Sequence, residues 1–144
     1  MTIIAWDGKT LAADRRAMAS GMIFSVTKIF KSEKGLYGFD GCYSVGLQMV
    51  KWLESGENPG DYPDGQKDNE RYCHMLLITP ERKILRYERE VLPIPIDLPF
   101  IASGCGRDYA MGAMACGATA SEAVEIACRF DNGCGNGVDT LTFE

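Results

Sequence analysis

An α+β fold is what the sequence predicts, on three observations. Apolar stretches of strand length return as hairpins. Helical periodicity is confined to one block before the middle of the chain and to a second near its end. Glycine- and proline-rich punctuation separates these elements. Antiparallel hairpins with helices in separate blocks place sheets inside and helices outside.

Thr2-Ile3-Ile4-Ala5-Trp6 is an apolar strand, Asp7-Gly8 a hairpin turn signal, and Thr10-Leu11-Ala12-Ala13 the return. Arg16 to Gly21 reads as a loop. Met22 to Ile29 is a strand that carries Lys28 and continues to a turn at Glu33-Lys34-Gly35, and Leu36 to Phe39 is the next strand. Asp40-Gly41-Cys42-Tyr43 turns into a helix from Ser44. Its apolar positions Val45, Leu47, Met49, Val50, Trp52 and Leu53 give it a broad buried face, and it stops at Ser55-Gly56. Glu57 to Arg71 lacks apolar periodicity and carries many breakers, so it is a surface loop.

Tyr72 to Thr79 and Lys83 to Tyr87 form a hairpin through Pro80-Glu81-Arg82, with His74 an ordinary strand residue. Val91 to Pro99 alternates prolines with apolar residues and is an extended connection. Phe100 to Ala102 is a short strand. A helix packed through small residues covers Arg107 to Gly117. A second helix is capped by Thr119 or Ser121, with Ala123, Val124, Ile126, Ala127 and Phe130 facing inward. Asp131 ends it, and a glycine-rich turn leads to the closing strand, Val138 to Phe143.

At 144 residues the chain is expected to form one domain, 1–144, able to bury roughly 68–70% of its unfolded surface. Hydrophobic content of 46% and charged content of 24% are those of a soluble globular protein. A net charge of −5 argues against nucleic acid and anionic membrane as partners. Neither a signal peptide nor an apolar run of spanning length is visible, so a cytoplasmic location is expected. In that compartment the six cysteines (42, 73, 105, 116, 128 and 134) are reduced. Without a C-x-x-C pair, and with His74 the only histidine, no metal site is expected. The glycine-rich turn follows a helix rather than opening one and no Lys-Ser/Thr trails it, which excludes a P-loop.

The chemistry is concentrated at the start. A threonine behind a removable Met acquires a free α-amino group beside its hydroxyl, a nucleophile with its own general base. The amine's reference pKa of about 7.7–8.0 leaves a proton-accepting fraction of it neutral near pH 7. The first hairpin returns Asp14 to the end where Thr2 begins, and Lys28 interrupts an otherwise apolar strand. An ammonium facing Thr2 favours its alkoxide and a neutral amine, with Asp14 to pair it. By strand alternation Val26 and Phe30 share the Lys28 face and are candidates, with Tyr43, for an apolar substrate pocket.

Five blocks in order carry a resemblance: Thr2, Leu11-Ala12-Ala13-Asp14-Arg15-Arg16, Thr27-Lys28-Ile29, Ala102-Ser103-Gly104 and Asp131-Asn132-Gly133-Cys134-Gly135. The chain resembles proteasome β-type and HslV-type subunits of the N-terminal nucleophile (Ntn) hydrolase superfamily. The resemblance implies a four-layer αββα sandwich of two antiparallel sheets flanked by helices. The fold is shortened, because the second long helix usual in such chains has no counterpart in Glu57 to Arg71.

It implies a threonine peptidase that hydrolyses peptide bonds through a Thr2 acyl-enzyme, with Asp14 and Lys28 tuning the nucleophile and no cofactor. Ser103, Asp131 and Cys134 are implied to position the amine. Cys134 stands where the family has serine, and Ser103 also has a reading as a turn residue. Gly41 matches the glycine whose N–H meets the oxyanion, and reads equally as a turn glycine. Partners implied are further copies of the chain in a ring-type homo-oligomer, a peptide or unfolded-protein substrate, and an ATP-dependent unfoldase. Two other readings stay open: a non-catalytic scaffold subunit that retains Met1, and an Ntn amidase acting on a small amide.

Overall fold

The computed structural model describes residues 1–144 and holds eleven strands and three α-helices. The first sheet joins β1 (Ile3–Trp6), β2 (Leu11–Asp14), β10 (Ile101–Gly104) and β11 (Val138–Leu141) in the order β10-β1-β2-β11, all antiparallel. The second joins β5 (Ile29–Ser32), β6 (Gly35–Gly41), β7 (Cys73–Ile78), β8 (Ile84–Tyr87) and β9 (Ile94–Ile96) in sequential antiparallel order. Helices α2 (Arg107–Ala115) and α3 (Ala120–Phe130) cover the first sheet, and α1 (Tyr43–Glu54) covers the second.

Strand alternation builds the four layers. On β1, Ile3 and Ala5 point to the α2–α3 layer, while Ile4 and Trp6 point to the other sheet. On the second sheet Leu36, Leu76, Ile78 and Ile84 meet them in the middle, and Tyr37, Phe39, Met75, Leu77 and Tyr87 turn outward to α1. Both faces of both sheets are thereby apolar, which explains near-continuous hydrophobic strands such as β1, buried at all four positions. The α+β, αββα expectation holds. Gly46 lets α1 approach closely, since a Cβ there would collide with the Phe39 ring. The α3 cap is Thr119, in a reciprocal capping box with Glu122.

Several local expectations are corrected. Arg16–Ala19 is a strand, β3, rather than a loop. It pairs with β4 (Met22–Ser25) around Ser20 and Gly21 as a separate ribbon carrying exposed Met22, Ile23 and Phe24. The long strand predicted from Met22 is broken, because β4 belongs to this ribbon and β5 starts afresh at Ile29 in the second sheet. Val91 to Pro99 contains β9, whose edge position tolerates Pro95. Leu47, Ile126 and Phe130 fall outside the buried stripes of their helices.

The 57–71 segment stays irregular, with two short 3₁₀ turns, but it is pinned from inside by fully buried Gln66. Its amide nitrogen donates to the Cys73 and Glu88 carbonyls, at 3.0 and 2.7 Å, and its amide oxygen accepts from Cys73 N–H at 2.8 Å. Removing it leaves buried backbone groups of β7 unpaired. Gln66→Ala is therefore expected to cost about 1–3 kcal/mol. A fall in the urea midpoint at unchanged m-value checks this.

Candidate active site

Thr2 stands at the head of β1 and is 5% exposed. The β1–β2 hairpin pairs Ile4 with Ala13, which brings Asp14 opposite the start of β1. Asp14 is fully buried, and four donors surround its carboxylate. Oδ1 accepts from Ile3 N–H at 3.1 Å and from Lys28 Nζ at 2.8 Å, while Oδ2 accepts from the N–H groups of Arg16 at 3.2 Å and Gly135 at 3.0 Å. Lys28 is 3% exposed, so the pair is desolvated and each charge depends on the other. Its position in the short break between β4 and β5, not in a strand, is what swings it beneath Thr2. Lys28 Nζ also donates to the Met1 carbonyl at 3.2 Å, and Thr2 Oγ1 donates to the same oxygen at 2.7 Å. Hydroxyl and ammonium thus converge on one oxygen beside the nucleophile candidate.

The glycine-rich turn clasps this centre. Gly135 N–H holds Asp14, its carbonyl accepts from Arg15 N–H at 3.0 Å, and Arg16 ties the Asn132 carbonyl and Asn136 side chain. Asp131 braces the turn through Gly133 N–H at 2.8 Å. Cys134, 1% exposed, lies with its sulfur 3.7 Å from that of Cys105.

At the Thr2 nitrogen the partner is Cys105, whose Sγ accepts from it at 3.2 Å. Ser103 turns elsewhere: its hydroxyl donates to Asp40 and accepts from Arg86 Nη1 at 3.1 Å. Gly104, at φ +109°, breaks the strand alternation between the two, so Cys105 swings toward Thr2 while Ser103 stays between the sheets. A Cβ on Gly104 would also strike the Thr2 carbonyl. Gly104→Ala is expected to displace Thr2, lowering stability by at least about 1 kcal/mol and any Thr2-dependent turnover with it. Thermal melts and a rate assay on the same sample check both.

Thr2 lies between two clefts, and Gly41 lines both. The smaller, about 260 Å³, includes Val26, Lys28 and Tyr43. Phe30 is not in it. Phe30 stacks on Tyr37 and Phe39 in the α1 layer, because the break before β5 resets the alternation that grouped it with Lys28. The larger cleft, about 410 Å³, is polar and charged. His74 is more than an ordinary strand residue there: cross-strand pairing of β6 with β7 sets its Nδ1 2.9 Å from Asp40 Oδ1. Asp40, His74, Arg86 and Ser103 form one network on this wall. The signal available in sequence was the pairing of two strands across the long 42–72 interval.

The thiols differ in acidity. The hydrogen bond with Cys134, then burial, raises the Cys105 thiol well above the ordinary range. At Cys134 the bond from Cys105 favours the thiolate, but the bond to Cys128 and burial outweigh it and push the thiol up to about 12. Cys128 is lowered by its bond to Cys134.

Neither a protein-family model nor a curated protein sequence matches this chain. Solved structures do. Thiobacillus denitrificans BPH is similar at TM-score 0.72 and 20% identity, over 99% of this chain and 97% of its own. BPH in complex with epoxomicin aligns with the same coverage and TM-score at 19% identity. Eukaryotic HslV from Trypanosoma brucei aligns over 97% of both chains at TM-score 0.70 and 17% identity. The fold is therefore the four-layer αββα arrangement that BPH and HslV have. No helix is long and apolar enough to cross a membrane.

Proposed function

We propose that the protein is a threonine peptidase acting through Thr2 once Met1 is removed. The observation that carries this reading is the buried Lys28–Asp14 pair beside Thr2: with Met1 in place its ammonium and the Thr2 hydroxyl share the Met1 carbonyl, and removal of Met1 frees both groups. A cation held beside a developing alkoxide lowers its energy.

In the proposed sequence Thr2 Oγ attacks the peptide carbonyl carbon, and its proton passes through water to the Thr2 amine. The tetrahedral oxyanion takes the Gly41 N–H. Collapse breaks the C–N bond, the leaving amine takes the proton, and an ester on Thr2 remains. Water then hydrolyses it with the amine again as base. Asp14 holds Lys28, while Asp131 and the two thiols, Cys105 and Cys134, set the amine's surroundings. Val26 and Tyr43 offer an apolar wall to the substrate.

Epoxomicin is held by one structure of similar fold, BPH, and this supports testing an epoxyketone here. The exposed apolar ribbon of Met22, Ile23 and Phe24 supports assembly with further copies, in a ring as the HslV likeness suggests, fed by an unfoldase.

One observation favours the scaffold reading for any Met1-bearing form: there the Thr2 nitrogen is an amide and carries no base. The test is turnover by protein of verified N-terminus. Hydrolysis of fluorogenic peptides with small amides untouched supports the peptidase. Turnover of small amides alone moves the reading to an amidase, and no turnover by Met1-free protein rejects both enzymes.

A further inference from the structure

Cys105, the partner of the Thr2 nitrogen, belongs to a cluster with Asp131 and Cys134 whose donor chemistry goes beyond what placing an amine needs. The ligating atoms of Cys105, Asp131 and Cys134 lie within 4.8 Å of one another. The two sulfurs are 3.7 Å apart. Two thiolates on one tetrahedral zinc, each at about 2.3 Å, sit about 3.8 Å from each other. The sulfurs therefore already stand at the separation such an ion imposes. A disulfide, at about 2.05 Å between sulfurs, requires them to close by more than an ångström.

We infer that Cys105, Cys134 and Asp131 form a site for a thiophilic divalent cation of the zinc class, placed to hold the Thr2 nitrogen as fourth ligand.

The donor set is two soft sulfurs and one carboxylate, which selects zinc or cadmium over magnesium or calcium. Gly133 N–H donates to Asp131 Oδ1 and orients the carboxylate, the support that metal ligands commonly have from an outer partner. Cys134 is buried and Cys105 is exposed on the wall of the larger cleft, so an ion arrives from that side. On binding, each thiol releases its proton to solvent and its sulfur lone pair forms the metal bond, with no change of oxidation state. Water completes the tetrahedron while Met1 is present, because an amide nitrogen is a poor ligand. After Met1 removal the Thr2 amine takes that place. Only this last ligand rests on the proposed function, where it makes the ion a reversible inhibitor that occupies the general base. The sequence hides the site, since positions 105, 131 and 134 lack a C-x-x-C spacing.

The test is titration of chelator-stripped, phosphine-reduced full-chain protein with cobalt(II), followed by zinc competition against a chromophoric chelator. One cobalt per chain, with a near-ultraviolet sulfur-to-cobalt charge-transfer band that zinc abolishes, is expected. Cys105→Ser and Cys134→Ser should each weaken binding on the order of 10-fold or more, while Cys116→Ser, at an exposed thiol outside the cluster, should leave it unchanged. Absence of the band in wild type overturns the site, and so does a band that survives Cys105→Ser/Cys134→Ser. Thr2→Ala removes the hydroxyl and keeps an amine, so it should bind cobalt as wild type does. A failed peptidase reading therefore leaves the cation site standing, and a failed cation site leaves peptide turnover untouched.

Discussion

Thr2→Ala is expected to abolish peptide hydrolysis, by on the order of 10⁴- to 10⁶-fold, with the fold intact. The change removes one hydroxyl and one methyl from a residue whose Oγ1 makes a single hydrogen bond, to the Met1 carbonyl. Ile3 N–H still meets Asp14, and Lys28 keeps its carboxylate, so nothing in the clasp is lost. Melting temperature should stay near that of wild type while turnover vanishes. In active wild type the rate should rise with pH as the Thr2 amine loses its proton. The sign follows from the base being the neutral form. A variant that keeps half of wild-type turnover removes Thr2 from the mechanism.

Lys28→Met is expected to damage both stability and rate. It keeps most of the side-chain volume and deletes the cation from a pair that is 3% and 0% exposed. Asp14 is left charged and buried, with three backbone donors remaining. Breaking a buried pair from one side costs about 3–5 kcal/mol. The loss of the cation beside the nucleophile costs roughly 100- to 1,000-fold in rate beyond any unfolding. Urea denaturation measures the first, and single-turnover acylation by the folded fraction measures the second. A stable Lys28→Met with full acylation rate contradicts the electrostatic role.

What the sequence revealed and hid follows the range of the interactions. Asp14 meets Ile3 N–H, next to Thr2, across a hairpin whose turn and alternation are local, so its arrival at this end was readable. Lys28 was readable as a cation in an apolar setting, but the break beside it was not. β4 and β5 run together as one apolar stretch, and only membership of different sheets separates them. That break sent Phe30 to the α1 layer and kept Val26 at the cleft. The resemblance points to Ser103, but Cys105 meets the Thr2 nitrogen, because a left-handed φ at Gly104 redirects the chain. His74 meets Asp40, and Gln66 meets Cys73 and Glu88, only after distant strands pair, and no local pattern encodes either. β3 reads as a loop in the sequence because it has no buried stripe to give it a period.

The most direct measurement is the intact mass of the purified protein before and after an epoxyketone. The expected result is a mass lacking Met1 and one adduct per chain, absent from Thr2→Ala. A Met1-free chain that takes no adduct, or an adduct that persists in Thr2→Ala, contradicts Thr2 as the nucleophile.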